Sequence, residues 1–482
     1  MQRKGFTLLE YFDDDLKINF FNEKPNASET VVSVIIGPNG SGKSIALSRI
    51  VEEFDYLASL KSKSKNSRVL RRTTSQTCFI RYQIDGVECQ VVRKEAALKF
   101  HVNGQAVPSV RALPLPTQLA AVAHLPTDKF RFKRESANSF YKYLGLRQAT
   151  NLTTTGALEA KVIMGLLRGL EKPDFKENLE RWLNLAGYKA ELALVITPHS
   201  DSMLSDDFET FEEAIIYRQP TGTISNSVIA GAKVAFEFFK RLKRELSNGS
   251  VFALDIYDIA QSNLKVWREG YEIARRLKAF SSVELYFHKT TGAGGVFQFS
   301  ELSSGEQQII GTHTRLLAEV ESNSLVVIDE PELSLHPDWQ QRYIPTLKAC
   351  LEAVVGVHVL IATHSHFMVA DVDDGNSSLV LSNKRNDADK WDFEFFDGDV
   401  YGRSPENILY RAFGVATSGN FYVENDLREA LRIISMNENA DKQRLEAIFG
   451  RLQRVCAPDN IAMNVILDRI YDVISGDIEG RS

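Results

Sequence analysis

Cysteine is scarce in this chain: four residues in 482, Cys78, Cys89, Cys350 and Cys456, with no C-x-x-C pair among them. That spacing excludes both a disulfide framework and a cysteine zinc site, and it points to reduced, structural thiols. Long apolar runs are missing too. No window of about 18 apolar residues occurs, so neither export nor a membrane span is supported, and the expectation is a cytoplasmic protein with no membrane partner. Nor is there an excess of positive charge: 57 Lys and Arg stand against 63 Asp and Glu, a net charge of −6. Indiscriminate coating of nucleic acid is thereby disfavoured, although a local basic groove is compatible with it. The hydrophobic share of 44% and charged share of 25% are ordinary globular values, and a chain of this length should divide into two to four lobes.

What is present begins with Val31 to Ser44, VVSVIIGPNGSGKS. The first six residues are almost all β-branched and apolar, which predicts a strand buried on both faces. It runs into Gly37-Pro38-Asn39-Gly40-Ser41-Gly42-Lys43-Ser44, a match to G-x-x-x-x-G-K-[ST], the phosphate-binding loop. A triphosphate must be wrapped by backbone N–H groups, and glycine lets the chain turn tightly without a Cβ in the way. The helical spacing of Ile45, Leu47, Ile50, Val51 and Phe54 aims a positive helix end at the anion. Lys43 is then expected on the β- and γ-phosphate oxygens, and the Ser44 hydroxyl on Mg²⁺.

Around this stretch, Gly5 to Phe12 and Leu16 to Phe21 alternate like an antiparallel flap. Phe12 or Phe20 is a candidate to stack on adenine, with ordinary sheet packing the other reading. Lys61 to Arg72 is a polar basic run, read either as a solvated loop or as a phosphate-backbone contact. Strands follow at Thr77 to Ile84, Glu88 to Arg93 and Ala97 to Val102, with turns at Asp85-Gly86 and Asn103-Gly104. Leu119 to His124 is a further short apolar run. From Ser139 to about Phe280 the spacing turns helical, at Ala157 to Leu170, Phe175 to Ala186, Phe208 to Tyr217, Val228 to Leu246 and Ile256 to Phe280. No heptad persists, so a helical lobe is expected and not a coiled coil. Tyr141 to Leu146, YKYLGL, has no evident chemical role.

A second cluster of chemistry starts after strands at Val283 to His288 and Val296 to Phe299. Leu302-Ser303-Ser304-Gly305-Glu306-Gln307-Gln308 opens an apolar-spaced helix with two hydroxyls and a glycine, another anion-binding helix start. Leu325-Val326-Val327-Ile328-Asp329-Glu330 reads as a buried strand terminating in two carboxylates. Asp329 is placed to hold Mg²⁺, and Glu330 to polarise the attacking water. Val357 to Ala362 then ends in Thr363-His364-Ser365, which sets an imidazole at the same sheet edge.

The ordered set GPNGSGKS, LSSGEQQ, LVVIDEPELSLHP and IATHSH resembles the ABC-type ATPase heads of the SMC, RecF and OLD-like group. The resemblance covers about Val31 to Ser44 and Glu301 to Phe367. It implies an α/β P-loop NTPase fold of ABC ATPase type, with an α-helical insertion lobe and a mostly helical C-terminal tail. The corresponding division is 1–135 for the first part of the head, 136–280 for the insertion, 281–400 for the second part of the head and 401–482 for the tail. It also implies ATP and Mg²⁺ as ligands and a site built from two molecules. In one head, Gly37 to Ile45 would cradle the nucleotide, Ser44 and Asp329 would hold the metal, and Lys43, Glu330 and His364 would serve catalysis. In the second head, Ser303, Ser304, Gly305 and Glu306 would close on the γ-phosphate, and Ser334-Leu335-His336 falls where the family runs its D-loop across the dimer. The family's Q-loop glutamine has no counterpart: Gln118 precedes the expected strand, and Thr127-Asp128 occupies the position.

Some 260 residues separate the first two motifs, far more than the roughly hundred typical of transporter subunits. Asp371, Asp373, Asp374 and Glu424 offer acids for an OLD-type nuclease, but about 60 residues after Glu424 are too few for a Toprim domain. The tail and the PELSLHPDWQ run resemble ATPases of prokaryotic antiphage systems, such as the Septu ATPase and retron-associated or PARIS-like relatives. The reading is therefore an ATP-gated sensor and scaffold, a homodimer or higher even-numbered oligomer, that restrains a separate nuclease or toxin effector. The alternative is a RecF- or SMC-like repair ATPase that binds nucleic acid through Lys61 to Arg72, Arg131 to Arg134 and Arg241 to Arg244.

Overall fold

The computed structural model describes residues 5–22, 25, 29–62, 76–95, 97–125, 127–133, 139–145, 147, 155–219, 225–245, 251–259, 263–290, 295–369, 376–384, 391–396, 421–435, 442–455 and 461–475. Most of the basic run after Lys61, Arg134, Asp371 to Asp374 and Ser404 to Gly414 lie outside the described residues.

The expected flap forms from β1 (Phe6–Asp13) and β2 (Lys17–Asn19), with Tyr11 opposite Ile18. β3 (Val31–Ile36) is buried at every position and delivers the glycine loop to α1 (Lys43–Lys61). The next strands are β4 (Thr77–Ile84), β5 (Val87–Lys94), β6 (Ala97–Val102) and β7 (Gln105–Val107). At both expected turns, Asp85-Gly86 and Asn103-Gly104, the two central residues take positive φ, the geometry whose twist matches a hairpin. These strands join in one antiparallel sheet in the order β2-β1-β4-β5-β6-β7. Helix α1 is packed beneath it. Its Phe54 meets Phe6 edge-on at 5.8 Å, and Ala46, Leu47, Ile50 and Val51 share the same core.

The second layer is a seven-stranded sheet. It contains β3, then β8 (Leu119–Ala123) and β9 (Tyr141–Tyr143), and three later strands described below. Between β9 and those strands the chain forms α2 (Thr155–Gly169), α3 (Phe175–Leu185), β10 (Tyr188–Pro198), α4 (Phe208–Tyr217), α5 (Asn226–Glu245), β11 (Phe252–Asp255), α6 (Leu264–Arg276), β12 (Phe280–Lys289) and β13 (Val296–Gln298). The helices fall where the spacing predicts, with one correction. The helix expected over Ile256 to Phe280 is confined to α6: Asp255 accepts from the Tyr257 N–H in a short turn before it, and Lys278 takes φ 60 after it. The insertion is also not wholly helical. Tyr188, Leu192, Leu194 and Ile196 are buried at alternate positions of an eleven-residue strand, and β11-β10-β12-β13 form an antiparallel sheet.

The chain returns with α7 (Ser304–Glu319), β14 (Leu325–Asp329), α8 (Pro337–Leu351), β15 (His358–Thr363), β16 (Ser377–Lys384) and β17 (Trp391–Phe395). The strand order β17-β16-β3-β15-β14-β8-β9 is parallel throughout except for β17. This is an α/β fold in which a mostly parallel sheet delivers a P-loop NTPase-type glycine loop from β3 to α1. All the sequence motifs at strand ends thus reach one carboxyl edge, where open α/β sheets bind ligands. A separate unit within Glu406–Ser482 consists of α9 (Phe421–Ser435), α10 (Lys442–Val455) and α11 (Ile461–Ser475), packed through Ala430, Leu445, Ile448, Leu452, Met463 and Ile470. Among the described residues no helix is long and apolar enough to cross a membrane, and Cys78, Cys89 and Cys350 are buried free thiols.

At the opposite, amino edge of the central sheet, His358 ties the two layers together. Its Nδ1 accepts from the Leu8 N–H at 3.0 Å, and its Nε2 lies 2.9 Å from Ser33 Oγ. Burial pushes its pKa down to about 3, and that of His124 likewise to about 3. The folded state therefore binds fewer protons than the unfolded chain between about pH 3 and about pH 6.5, so stability rises with pH through that window and is complete above it. Each such histidine is expected to cost roughly 2 kcal/mol at about pH 5. Denaturant midpoints measured from pH 5 to pH 7 should show this loss, and His358→Gln, which can still accept from Leu8, should flatten it. Parallel profiles for the two proteins would contradict the assignment.

Candidate functional site

The loop from Gly37 to Ser44 owes its shape to two left-handed glycines, Gly40 at φ 78 and Gly42 at φ 91. Gly37 needs its missing Cβ for another reason, since that atom would stand 2.2 Å from the Ser382 carbonyl oxygen. Ala46 is the first residue to close a helical bond, onto Gly42 O at 2.9 Å. The N–H groups of Lys43, Ser44 and Ile45 are left for a ligand, as the first turn of any helix leaves them. Lys43 Nζ donates to Gly37 O at 2.8 Å and Pro38 O at 2.9 Å, which holds the amine across the loop. Burial lowers its pKa, against the attraction of Glu330, Glu332 and Asp329.

Across from it stands the acidic edge. Ser44 Oγ donates to Asp329 Oδ1 at 2.9 Å, joining residues 285 positions apart. Burial pushes the Asp329 carboxyl up to about 7, with the Ser44 hydrogen bond opposing and Glu330, Glu332 and Asp128 adding to the rise. A hydroxyl and a buried carboxyl short of counter-charge fit a magnesium ion, which takes oxygen ligands and uses one or two carboxylates together with phosphate. Ser44 and Asp329 would hold it. Glu330 follows with φ 49 and its N–H on Ala362 O at 2.8 Å. That backbone, costly for a residue with a Cβ, lifts the glutamate out of the strand.

His364 lies at the end of β15, 38% exposed. Its backbone N–H donates to Glu332 Oε1 at 2.7 Å, and its Nδ1 stands 3.1 Å from the same oxygen. Sequence reasoning passed over Glu332, which is only 5% exposed. The signal available was an acid two residues beyond Glu330. Gln340 on α8 braces the same corner, donating to Leu335 O at 2.9 Å and accepting from Ser365 Oγ.

The serine-capped helix is built as its sequence predicts. Ser303 and Glu306 form a reciprocal cap at the start of α7, with Ser303 N–H on Glu306 Oε2 at 2.7 Å. Glu306 also accepts from Tyr188 OH at 2.9 Å, so its carboxylate is engaged within the chain. Gly305 lies against the 334–339 segment: a Cβ there would stand 2.3 Å from Ser334 O. The described contacts of Ser303 thus stay within the first turn of α7, with Glu306 and Gln307, and Gly305 lies against Ser334.

Gln118 falls where the sequence places it, ahead of the strand. It lies one residue before β8, at the amino edge, its carbonyl accepting from Leu325 N–H at 3.0 Å. The Asp128 side chain is fully buried, and it accepts from Tyr143 OH at 2.6 Å and Arg147 Nε at 2.9 Å. The YKYLGL stretch thereby acquires a structural account. Tyr143 holds Asp128, Lys142 pairs with Glu319 of α7 at 3.0 Å, and Leu144 O accepts from Arg315 of α7 at 2.7 Å.

A family model described as an AAA domain, putative AbiEii toxin, type IV TA system, matches residues 167–370. Protein ea59 of Escherichia phage lambda is 42% identical over 71 residues, which cover 15% of this chain and 13% of that protein. The chain therefore spans only a small part of that relative. Among solved structures, the SMC head domain from Thermotoga maritima overlaps 81% of this chain and 99% of its own at 12% identity and a TM-score of 0.35. The Smc head domain from Pyrococcus furiosus bound to the C-terminal domain of ScpA overlaps 81% and 96% at 12% identity and a TM-score of 0.32.

Glu332 generates a prediction at this site. Glu332→Gln keeps the size of the side chain but loses the anion beside His364, so kcat for ATP hydrolysis should fall on the order of tenfold, the scale of an outer-sphere partner. KM for ATP should stay within about twofold if, as the sequence motif implies, the glycine loop and Lys43 are the phosphate-binding groups. Steady-state kinetics separate the two; a raised KM with unchanged kcat would assign Glu332 to binding.

Proposed function

We propose that this chain binds and hydrolyses ATP with Mg²⁺ in the cytoplasm, at a site completed by a second copy in a homodimer or higher even-numbered assembly. The observation that carries the reading is the hydrogen bond from Ser44 to Asp329 at one sheet edge, with Lys43 facing Asp329, Glu330 and Glu332 and His364 beside Glu332, while the described contacts of Ser303 and Gly305 are with Glu306 and the Ser334 carbonyl.

The N–H groups of Lys43, Ser44 and Ile45 and the Lys43 amine would take the phosphate oxygens. Mg²⁺ on Ser44 and Asp329 would supply charge neutralisation to the β- and γ-phosphates. Glu330 accepts a proton from the attacking water as its oxygen bonds to the γ-phosphorus, and the bond to the ADP oxygen breaks. His364, steadied by Glu332, faces the charge that develops on the transferred group. A partner's Ser303 cap closes the far side with the positive end of its helix.

The ATP state would control a separate nuclease or toxin effector in antiphage defence. Support comes from the family description, which names a putative toxin of a toxin–antitoxin system, and from the stretch similar to a phage protein. The RecF- or SMC-like reading draws less support, because several of its basic residues are engaged within the chain. Lys61 donates to Leu113 O, Arg241 to Asn263, and Lys243 to Leu204 O and Asp206.

Glu330→Gln should retain ATP binding and assembly while turnover drops by about a hundredfold or more, the usual worth of a general base. Turnover near wild type would refute the role. Mixing Lys43→Ala with Ser303→Arg protein should restore up to about a quarter of the activity, since half the randomly mixed dimers then hold one intact composite site. Absence of any rescue would overturn the shared site.

A further inference from the structure

We propose that Trp391 is the platform for the nucleobase, so that the purine ring of a bound nucleoside triphosphate stacks on the indole face turned away from α1. This rests on the nucleotide site proposed above and names its unassigned end. Asp329, Glu330 and His364 fix the γ-phosphate end on the β14 and β15 side of β3. The base, at the other end of the ligand, then leaves toward the opposite side, where β16 pairs parallel with β3 and β17 folds back on it. Trp391 opposes Lys384, at the carboxyl end of β16, and so stands beside the phosphate loop.

Its contacts hold it there. The indole Nε1 donates to Gly40 O at 3.4 Å, and a Cβ on Gly42 would stand 2.6 Å from the indole Cγ. The Arg49 guanidinium lies 5.9 Å from the ring, itself fixed by Asp13 and Asp15 at 2.8 Å each. Gly42 and Arg49 are seven residues apart and share one flank of α1, the flank against which the half-buried ring is packed. Ser382 Oγ on β16 donates to Ser41 O at 2.6 Å, which locks the hairpin to the loop.

The aromatics suggested by the sequence are otherwise engaged. Phe20 is fully buried against His358, and Phe12 stacks on Phe79 at 5.5 Å with Lys17 over its ring. An indole offers a broad π-face to any base, so the ligand class is a nucleoside triphosphate, with stacking that discriminates weakly among bases.

The test compares ATP with inorganic tripolyphosphate, which carries the phosphates without a base, on the full chain. Trp391→Leu, which keeps apolar packing, should weaken ATP binding about tenfold or more while tripolyphosphate binding changes less than about twofold, and Trp391→Phe should recover most of the ATP affinity. ATP, but not tripolyphosphate, should change the tryptophan emission of the wild type, and Trp391→Phe should abolish that change although three other tryptophans remain. Equal loss of ATP and tripolyphosphate would make Trp391 a prop for the loop and overturn the proposal while leaving the nucleotide site intact. Unchanged ATP binding in Trp391→Leu would also overturn it. If wild-type protein binds neither ligand, the nucleotide-site reading itself fails.

Discussion

Everything at this site depends on one hydrogen bond between distant parts of the chain, from the Ser44 hydroxyl to the Asp329 carboxylate. It forms only because β15 lies between β3 and β14 in register, with Ile36 beside Thr363 and Ala362 beside Asp329. A slip of one residue in either pairing would turn the side chains to the wrong face of the sheet. Burying the acid there is costly, as the rise of its pKa to about 7 reflects. The fold bears that cost at the point where a charged ligand can offset it.

The insertion serves this edge from behind. Its first helix packs on α7 closely enough that Cβ atoms at Gly165 and Gly311 would meet side chains at 3.3 Å. Lys172 caps the carbonyl end of α7 through Leu317 O and Val320 O, at 2.8 and 2.7 Å. Trp182 of α3 stacks on His313 in the middle of the helix at 3.5 Å. Helix α7 is thus anchored along its length, and its serine-capped start is presented on a firm support.

What the sequence discloses is whatever depends on neighbours along the chain. The phosphate loop, the strand ending in Asp329 and Glu330, the capped start of α7 and the two Asx-Gly turns are all local patterns, and each is found in the structure where its pattern lies. The strand Tyr188–Pro198 was legible in principle from its alternate buried residues, but the helices on either side masked the change of period. Glu332 and Trp391 were not legible in the same way. Their significance arises from strand order, which brings Glu332 to His364 and Trp391 to Gly42 across long stretches of chain. The YKYLGL stretch is a similar case, because its partners Asp128, Glu319 and Arg315 come from three different elements.

The close seat of Gly305 under the Ser334 carbonyl couples two surfaces that lie about thirty residues apart in sequence. A methyl group does not fit between them, so the start of α7 and the turn at Ser334 form one continuous packed surface. In the proposed assembly, a neighbouring copy meeting this flank would face the serine cap and the Ser334 turn as one packed surface.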